Sequence, residues 1–395
     1  MRSPPAAATP FDERLFAVMR LVDPAVGTLE PYEFRYCLEN VAPPEGWESV
    51  RLESLREIEE RIRSRGFFSG IRAGSRSAGR VPLDPAISAL TRTLLAGLAT
   101  GGYPVEWVDA HFYFDVRGFF FLPRTVYFTE PVLRHFGGKP YRTFEQGQKR
   151  LASSLEVGYA EFREANREID GFFIESILKL VSAKGTPILF TIAGPTAAGK
   201  TEIGGRLREA LARAGRKASS IEMDNFLMDN GHREALRIDS MGKEAFHFSM
   251  FLSDLDALLA GRTVTIPRYE NGVSSHTPDG VLKSDGRPIV VEPADIIFIE
   301  GNFPFQIGEV AHRIGIKVVY LTDDPVRLKR KWRRDIDLRK KYDVDYFRNR
   351  YFRTQFLRAS DCYQAQMEAC DVVVDTTGAA LWATAETIGL LEGRS

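Results

Sequence analysis

The feature that most constrains this chain is a glycine-framed stretch of eight residues: Gly194, Pro195, Thr196, Ala197, Ala198, Gly199, Lys200 and Thr201. The stretch fits the pattern G-x-x-x-x-G-K-[ST], in which backbone N–H groups point inward at phosphate oxygens. The apolar segment ILFTIAG precedes it, and the amphipathic segment TEIGGRLREALARAG follows it. A strand, a tight loop and a helix N-terminus in this order form an anion-binding site. The sequence therefore predicts a phosphate-binding loop within an α/β domain.

Two side chains at the end of this loop add chemistry that the backbone lacks. The ammonium group of Lys200 can reach the β- and γ-phosphates of a nucleotide, and the hydroxyl of Thr201 can bind Mg²⁺. ATP and Mg²⁺ are therefore the predicted cofactors, held by all eight residues of the loop. Two further glycines, Gly204 and Gly205, are expected to be packing positions where the helix approaches the sheet.

The chain after residue 186 alternates short apolar runs with helical stretches. The runs are PILFTIAG, ASSIEMDNF, DIIFIEG, KVVYLTDD and DVVVDTT. Nearly unbroken apolar runs indicate strands that are buried on both faces of a parallel sheet. We therefore predict a P-loop NTPase-type parallel sheet with helices on both faces, over residues 186–395. Ligands of such sheets bind at the carboxyl ends of the strands.

The residues before the loop have a different pattern. Residues 52–66 and 84–102 have the apolar spacing of helices, and residues 105–128 are rich in aromatic side chains around DVRG, as in a β-hairpin. We predict a mixed α+β domain over residues 1–150, joined by a helical connector over residues 151–185. A substrate-recognition module, an oligomerisation domain and an independent enzyme are all compatible with this N-terminal part.

The composition excludes several classes of function. Lys+Arg and Asp+Glu both number 53, so bulk positive charge does not favour nucleic acid as a partner. The three cysteines show no C-x-x-C spacing, which argues against a zinc site or a disulfide framework. No segment approaches ~18 consecutive apolar residues, and the N-terminus lacks the apolar run of a signal peptide. We expect a cytoplasmic protein with a small-molecule partner; its oligomeric state is left open, a homo-oligomer included.

Four polar residues follow predicted strands and are candidates for the second half of a catalytic site. Asp224 ends the run SSIEMD, where a carboxylate can take the proton of an attacking hydroxyl and support Mg²⁺. Glu300 lies at the tip of a buried apolar strand, where its charge requires a metal ion or an ordered water. Tyr269 and Glu270 follow the short strand VTIP and are predicted to bind the acceptor.

An arginine-rich segment at residues 323–347 follows the fourth of these strands. Its arginines are Arg327, Arg330, Arg333, Arg334 and Arg339. Arg327, Arg330 and Arg334 have helical spacing and share a face. A charge run of this kind is often a solvated surface, but in this position it also suits a lid that closes over a transferring phosphate.

Residues 186–380 resemble the phosphoribulokinase/uridine kinase family of P-loop kinases. The segments that carry the resemblance are GPTAAGKT, IEMDNF, FLSDLDALLAGRTVTIPRYE, DIIFIEG and RLKRKWRRDIDLRKK, in the order of the family. The resemblance implies that Asp224 is the base acting on the acceptor hydroxyl, that Glu300 supports Mg²⁺, and that Tyr269 lines the acceptor pocket. It also implies lid residues that hold the phosphates: Arg330, Arg334 and Arg339. Lys200 and Arg334 would act with Asp224 in catalysis.

The acceptor segment departs from the family pattern. Uridine kinases usually have Y-D-F-x-x-H-x-R where this chain has YENGVSSHTPDG, so Glu270 replaces Asp, His276 is two places late and the arginine is missing. The family's F-D-F reads F-H-F here, with His247 at its centre. The sequence thus predicts an ATP-dependent kinase for a hydroxyl on a small molecule, a nucleoside or a sugar-like polyol. The alternative is a nucleotide-gated regulatory ATPase with an N-terminal effector domain.

Overall fold

The computed structural model describes most of the chain. The described residues are 10–63, 85–116, 118–145, 151, 154, 158–238, 243–301, 307–334 and 363–394. The chain divides into two compact units, each of which is discontinuous in sequence. Unit 1 comprises residues 1–126, 147–164 and 323–360, and unit 2 comprises residues 127–146, 165–322 and 361–395. This division differs from the predicted one because residues 323–360 group with the N-terminal residues and not with the phosphate-binding loop.

The secondary structure of the described residues is mainly helical before residue 185 and alternates afterwards. The helices are α1 (Phe11–Val22), α2 (Pro31–Glu39), α3 (Leu55–Arg63), α4 (Pro85–Thr100), α5 (Val105–His111), α6 (Glu130–His135), α7 (Tyr159–Ala165), α8 (Arg167–Lys184), α9 (Lys200–Arg213), α10 (Asn230–Ala235), α11 (Phe248–Leu259), α12 (Gly308–Ala311), α13 (Asp324–Arg333), α14 (Gln364–Met367) and α15 (Ala385–Leu391). The strands are β1 (Phe112–Asp115), β2 (Phe120–Pro123), β3 (Arg142–Thr143), β4 (Ile188–Ala193), β5 (Ala218–Glu222), β6 (Val264–Ile266), β7 (Tyr269–Glu270), β8 (Val273–Ser274), β9 (Ile289–Val291), β10 (Ile296–Glu300), β11 (Ile314–Leu321), β12 (Val372–Asp375) and β13 (Ala380–Ala383).

Unit 2 contains a seven-stranded sheet among its described residues, in the order β3-β13-β12-β11-β4-β10-β5. The five strands that the apolar runs predict pair in parallel, and β13 and β3 add an antiparallel edge. Every residue of β4 and of β10 is buried, as expected for strands covered on both faces. Side chains of α8, α9 and α15 share one hydrophobic cluster with one face of the sheet. The predicted α/β fold with a mostly parallel sheet is confirmed.

The described residues of unit 1 form helices and one β-hairpin. The predicted hairpin is present as the antiparallel pair β1 and β2, although residues 105–111 at the start of that segment form helix α5. Its aromatic side chains are buried, with Phe112 and Phe121 at 0% exposure. They pack in a hydrophobic cluster with side chains of α1 and α4, and Leu328 of α13 belongs to the same cluster. Helix α13 is therefore part of the core of unit 1.

The start of α13 is held in unit 1 by charged groups. Arg124 Nη1 lies 2.6 Å from Asp323 Oδ2, and the backbone N–H of Thr125 donates to Asp324 Oδ2 over 3.0 Å. Arg327 has no exposed surface, and its guanidinium forms an ion pair with the equally buried Asp324. Arg327 is thus a packing residue of unit 1 and does not belong to a solvated arginine face.

Arg124 is the hydrogen-bonding centre of this arrangement, so its removal should destabilise unit 1. Besides Asp323, its guanidinium contacts Asp109 over 2.9 Å and the carbonyl of Phe112 over 3.0 Å. We expect Arg124→Ala to lower the free energy of unfolding by about 1–2 kcal/mol, measured by urea denaturation, because Asp323 loses its guanidinium partner and the carbonyl of Phe112 loses a donor. The matched change Arg56→Ala removes an exposed pair with Glu60 and should cost no more than about 0.5 kcal/mol. Equal losses in the two variants would contradict this role.

No helix in the described ranges combines the length and the apolar character needed to cross a membrane.

Candidate functional site

The predicted phosphate-binding loop lies between β4 and α9 in unit 2. Gly194 has φ +146°, and a Cβ there would lie 2.2 Å from the carbonyl oxygen of Tyr320 on β11. Gly199 has φ +110° at the N-terminus of α9, in the region that favours glycine. Ala197 also has a positive φ, +65°. The two glycines are therefore required by a close backbone approach and by a left-handed turn, and the loop has the tight wrap that the motif predicts.

The loop is fixed from within and from the neighbouring strand. Lys200 Nζ donates to the carbonyl oxygens of Gly194 at 2.7 Å and Pro195 at 3.1 Å, so its ammonium group lies across the loop. The hydroxyl of Thr322, at the end of β11, donates to the carbonyl of Ala198 over 2.9 Å. These bonds hold the loop at the carboxyl ends of the central strands, where α/β sheets bind ligands.

Glu300 ends β10, beside β4, and its carboxylate is buried at 5% exposure. Burial raises the pKa of Glu300 above its usual range and the negative charge of Glu222 raises it further, against the opposing effects of Arg208, Lys200 and Thr201. Oε1 of Glu300 is buried and has no hydrogen-bond partner among the described residues. An orphaned carboxylate oxygen next to a P-loop hydroxyl is the oxygen donor set that Mg²⁺ prefers. The residues therefore fit the predicted metal ion.

The surroundings of Glu300 do not form an all-protein metal cage. In the described part of the chain, no three His, Cys, Asp or Glu side chains gather closely enough to hold a metal ion. Mg²⁺ in phosphate sites usually takes one or two protein ligands and fills its remaining positions with phosphate oxygens and water. The predicted ligands Thr201 and Glu300 agree with this sparse kind of site, and their role stays a prediction.

Gly204 of α9 is the residue that leaves room for this carboxylate. A Cβ at Gly204 would lie 2.9 Å from Glu300 Oε1, whereas a Cβ at Gly205 would meet no atom within 4 Å. We expect Gly204→Ala to push the carboxylate aside and to raise several-fold the Mg²⁺ concentration that gives half-maximal ATP turnover. Gly205→Ala is the matched control: it should leave that concentration unchanged and stabilise the fold by about 0.5–1 kcal/mol, as a helical Gly→Ala change does. Identical Mg²⁺ titrations of the two variants would count against a metal role for Glu300.

Asp224 follows β5 in a short 3-10 helix, Met223–Phe226. Its side chain is exposed, whereas Met223 and Phe226 on either side are buried at 3% and 0% exposure. Two buried anchors so close in sequence fix the backbone that carries the carboxylate. Because β5 pairs in parallel with β10, Asp224 follows the strand next to the one that ends in Glu300. The structure thus brings Asp224 and Glu300 to the same edge of the sheet.

Tyr269 joins this edge through hydrogen bonds around β7. Its backbone N–H donates to Asn225 Oδ1 over 3.2 Å, directly beside Asp224. Its phenolic hydroxyl donates to Asn230 Oδ1 over 2.8 Å and accepts from Arg233 over 2.6 Å. Tyr269, which is predicted to bind the acceptor, is therefore hydrogen-bonded to the segment that carries Asp224, the predicted base.

Glu270, the other predicted acceptor residue, lies on the surface. Its carboxylate is exposed and pairs with Arg268 over 3.0 Å. The structure does not link Glu270 to Asp224 as it links Tyr269, so its contact with an acceptor stays a prediction.

The two histidines of the acceptor segment are buried side by side. His247 and His276 are each 6% exposed, and their ring centroids are 6.2 Å apart. Burial lowers the pKa of both; the neighbouring His276 lowers that of His247 further, and Lys283 lowers that of His276. His276 Nδ1 lies 2.8 Å from the hydroxyl of Ser275, whereas His247 Nε2 is buried without a hydrogen-bond partner among the described residues. Both rings are expected to be neutral at pH 7.

The predicted lid arginines lie in unit 1 or outside the described residues. Arg330 is half-buried, with its guanidinium carbon 3.4 Å from the ring centroid of Phe162, a cation–π contact. Arg334 is half-buried at the end of α13, and Arg339 lies outside the described residues. Their contact with a nucleotide stays a prediction.

A buried polar network behind the loop had no sequence signal. Tyr320 donates to Asp170 Oδ1 over 2.7 Å, and Arg206 of α9 pairs with Asp170 Oδ2 at 2.5 Å. Burial raises the pKa of Asp170 to about 6, against the hydrogen bond from Tyr320 and the charge of Arg206. The network ties α8 to the helix after the loop. Asp170 and Arg206 are far apart in sequence, so no local pattern could pair them.

Residues 189–382 match the model of the "Phosphoribulokinase / Uridine kinase family". The predicted resemblance is confirmed for this segment. Uridine kinase of Leuconostoc citreum is 28% identical over 156 residues, which are 39% of this chain and 70% of that protein. Uridine kinase of Halobacterium salinarum is 32% identical over 148 residues, 37% of this chain and 61% of that protein. The family match and the uridine kinase relatives confirm the predicted enzyme class, a kinase that acts on a small molecule.

Solved kinase structures are also similar to part of this chain. The putative fructose transport system kinase from Silicibacter sp. TM1040 covers 50% of this chain and 94% of its own, with 18% identity and a TM-score of 0.38. The kinase-family segment begins at residue 189, so the family match does not extend to the N-terminal residues that build most of unit 1.

Proposed function

We propose that the protein transfers the γ-phosphoryl group of ATP to a hydroxyl of a small molecule, a nucleoside or a sugar-like polyol. The observation that carries the proposal is the pairing of two features at one edge of the sheet: a phosphate-binding loop after β4, and Asp224 after β5. A phosphate loop alone serves motors and switches as well as kinases. A carboxylate placed to receive a proton favours an acceptor that carries a hydroxyl.

In the proposed step, the Asp224 carboxylate accepts the proton of the acceptor hydroxyl while its oxygen attacks the γ-phosphorus. A new P–O bond forms, and the bond between the γ-phosphorus and the β,γ-bridging oxygen breaks. ADP departs with that electron pair. The products are ADP and a phosphorylated acceptor, and the proton rests on Asp224 until solvent removes it.

The charge that spreads over the transferring group requires cationic partners. Lys200 would hold the β- and γ-phosphates together with the backbone N–H groups of the loop. Mg²⁺, held by Thr201 and Glu300 with support from Asp224, would supply further positive charge to these phosphates. Arg330, Arg334 and Arg339 would complete this set as lid residues, with Arg334 at the reacting phosphate, and closure would exclude water from the phosphoryl group.

The test is a screen of nucleosides, sugar phosphates and polyols for acceptor-dependent release of ADP, followed by the mass of the product. A single compound that accelerates ADP release and gains the mass of a phosphoryl group would support the proposal. ATP hydrolysis that no small molecule changes, but that a protein partner accelerates, would contradict it and favour the regulatory ATPase. The N-terminal domain would then be the effector.

A further inference from the structure

Arg233 is a buried cation beside the proposed acceptor site. It lies on α10 and is 5% exposed, which is rare for arginine without a carboxylate partner. Its Nε donates to the carbonyl of Met228 over 3.0 Å, and its Nη2 donates to Tyr269 over 2.6 Å and to Asn230 Oδ1. All three acceptors are neutral. The described residues therefore orient the guanidinium without balancing its charge.

The acidic residue nearest in sequence does not supply that balance. Asp229 precedes Arg233 by one helical turn, but its carboxylate pairs with Lys283 at 2.8 Å and accepts the backbone N–H of Ser274 at 2.7 Å. Among the described residues, no carboxylate lies within ion-pair distance of Arg233. Nη1 makes no hydrogen bond to any described residue. One edge of the fixed guanidinium thus keeps N–H donors that no described residue accepts.

The free-energy cost of burying an unbalanced positive charge indicates that the ligand of Arg233 is an anion. A buried charge is stable only when it is paired, and a guanidinium binds carboxylate and phosphate through two parallel N–H···O bonds. Hydrogen bonds to neutral oxygens satisfy its donors but leave its charge. A guanidinium that is fixed in orientation but lacks a negative partner is typical of an anion-binding site.

The position of Arg233 connects this anion site to the chemistry. The guanidinium carbon lies 5.7 Å from the ring centroid of Tyr269, whose backbone binds Asn225, the residue next to Asp224. A group bound at Arg233 therefore lies beside Tyr269 and the segment that carries Asp224, the residues proposed to bind the acceptor. Tyr269 connects Arg233 to the segment that carries Asp224. Its ring lies against the guanidinium, and its hydroxyl accepts a hydrogen bond from Arg233.

We propose that Arg233 binds an anionic group of the acceptor, a carboxylate or a phosphate, while Asp224 acts on a hydroxyl of the same molecule. The inference rests on the proposed kinase function and narrows it to acidic sugar-like substrates: hydroxy acids or sugar phosphates. Arg233 is in this scheme a specificity-determining residue. Neutral nucleosides and polyols lack an anionic group that could balance the charge of Arg233.

The experiment compares acceptors in matched pairs with the full-length protein. Glycerate is paired with glycerol, and ribose 5-phosphate with ribose, each with ATP and Mg²⁺. We expect kcat/KM for the anionic member of one pair to exceed that of its neutral twin by on the order of 100-fold. The pair that shows the preference tells a carboxylate from a phosphate.

Three variants separate recognition from folding. Arg233→Gln should reduce this preference to within a few-fold by raising the KM for the anion, with the KM for ATP unchanged. Arg233→Lys retains the positive charge but cannot form two parallel hydrogen bonds, so it should reduce the preference by about tenfold. This variant keeps the test valid if Arg233→Gln unfolds. Arg237→Gln removes an exposed arginine from the same segment and should change nothing.

Each other outcome overturns the inference in a recognisable way. Turnover of neutral acceptors equal to or above that of anionic ones refutes anion recognition, while the kinase function stands. Equal loss with both members of a pair in Arg233→Gln and Arg233→Lys shows that Arg233 only supports the fold. ADP release that no acceptor accelerates refutes the kinase function itself, and this inference with it.

Discussion

Asp224→Asn is expected to lower kcat by about 10²–10⁴-fold and to leave the Kd for ATP within about twofold of the native value. The amide keeps the shape of the carboxylate but cannot accept the proton of the acceptor hydroxyl, and a positioned base contributes an effect of this size. The exposed position of Asp224 between buried anchors means that the change should not disturb folding. Single-turnover kinetics and calorimetric titration with ATP give the two quantities.

Asp256→Asn provides the matched control for this variant. Asp256 is an exposed aspartate of α11 that pairs with Arg313, outside the proposed site. Its conversion to Asn should leave both kcat and ATP affinity unchanged. Turnover of Asp224→Asn equal to that of this control would remove Asp224 from the role of base.

Lys200→Ala should weaken both ATP binding and turnover. The Lys200 ammonium supplies the positive side-chain charge of the loop, and a charge-assisted hydrogen bond to phosphate contributes about 1.5–3 kcal/mol, or roughly 10- to 150-fold in Kd. A larger loss is expected in kcat/KM, because charge on the γ-phosphoryl group develops further in the transition state. Calorimetric titration and steady-state rates at saturating acceptor measure the two effects.

Lys184→Ala is a close control because Lys184 also donates to a backbone carbonyl, that of Gly315 at 2.8 Å, but on an exposed surface. It should retain native ATP affinity. If Lys200→Ala bound and used ATP as Lys184→Ala does, the loop would not be the nucleotide site.

The sequence predicts the parts of unit 2 that depend on neighbours along the chain. The run ILFTIAG becomes the buried strand β4, and the glycines at 194 and 199 take the backbone angles that the motif requires. The carboxyl-end rule then places Asp224 and Glu300 at one edge, since they follow strands that pair in parallel. Hydrophobic periodicity, the residues that a turn requires and the direction of a strand are local or nearly local properties, so the sequence predicts them.

Pairings between distant segments could not be predicted in the same way. Helix α13 has the composition of a solvated lid, yet Leu328 lies in the hydrophobic cluster of unit 1 and Arg327 is fully buried against Asp324. The antiparallel edge strands β13 and β3 carry only a short apolar pattern and a two-residue pairing. In each case the partner is chosen by tertiary packing, which periodicity does not contain.

Arg233 shows the same limit inside the site. A single arginine in the polar segment DNGHREAL has no pattern that marks it as buried. Only the folded arrangement of Met228, Asn230 and Tyr269 around it shows a fixed cation with neutral partners. The residues proposed to contact phosphate form a continuous motif that the sequence displays, whereas the residues proposed to bind the acceptor come from separate turns.

The most direct measurement follows the γ-phosphoryl group itself. The protein is incubated with Mg²⁺ and ATP labelled with ¹⁸O in the γ-phosphate, with and without the best acceptor of the screen, and the products are analysed by mass spectrometry. We predict that the label appears on the acceptor in amounts equal to the ADP formed, and that Asp224→Asn slows this transfer by about 10²–10⁴-fold. Label found only in inorganic phosphate, in equal amounts with and without every acceptor, would contradict the assignment as a small-molecule kinase.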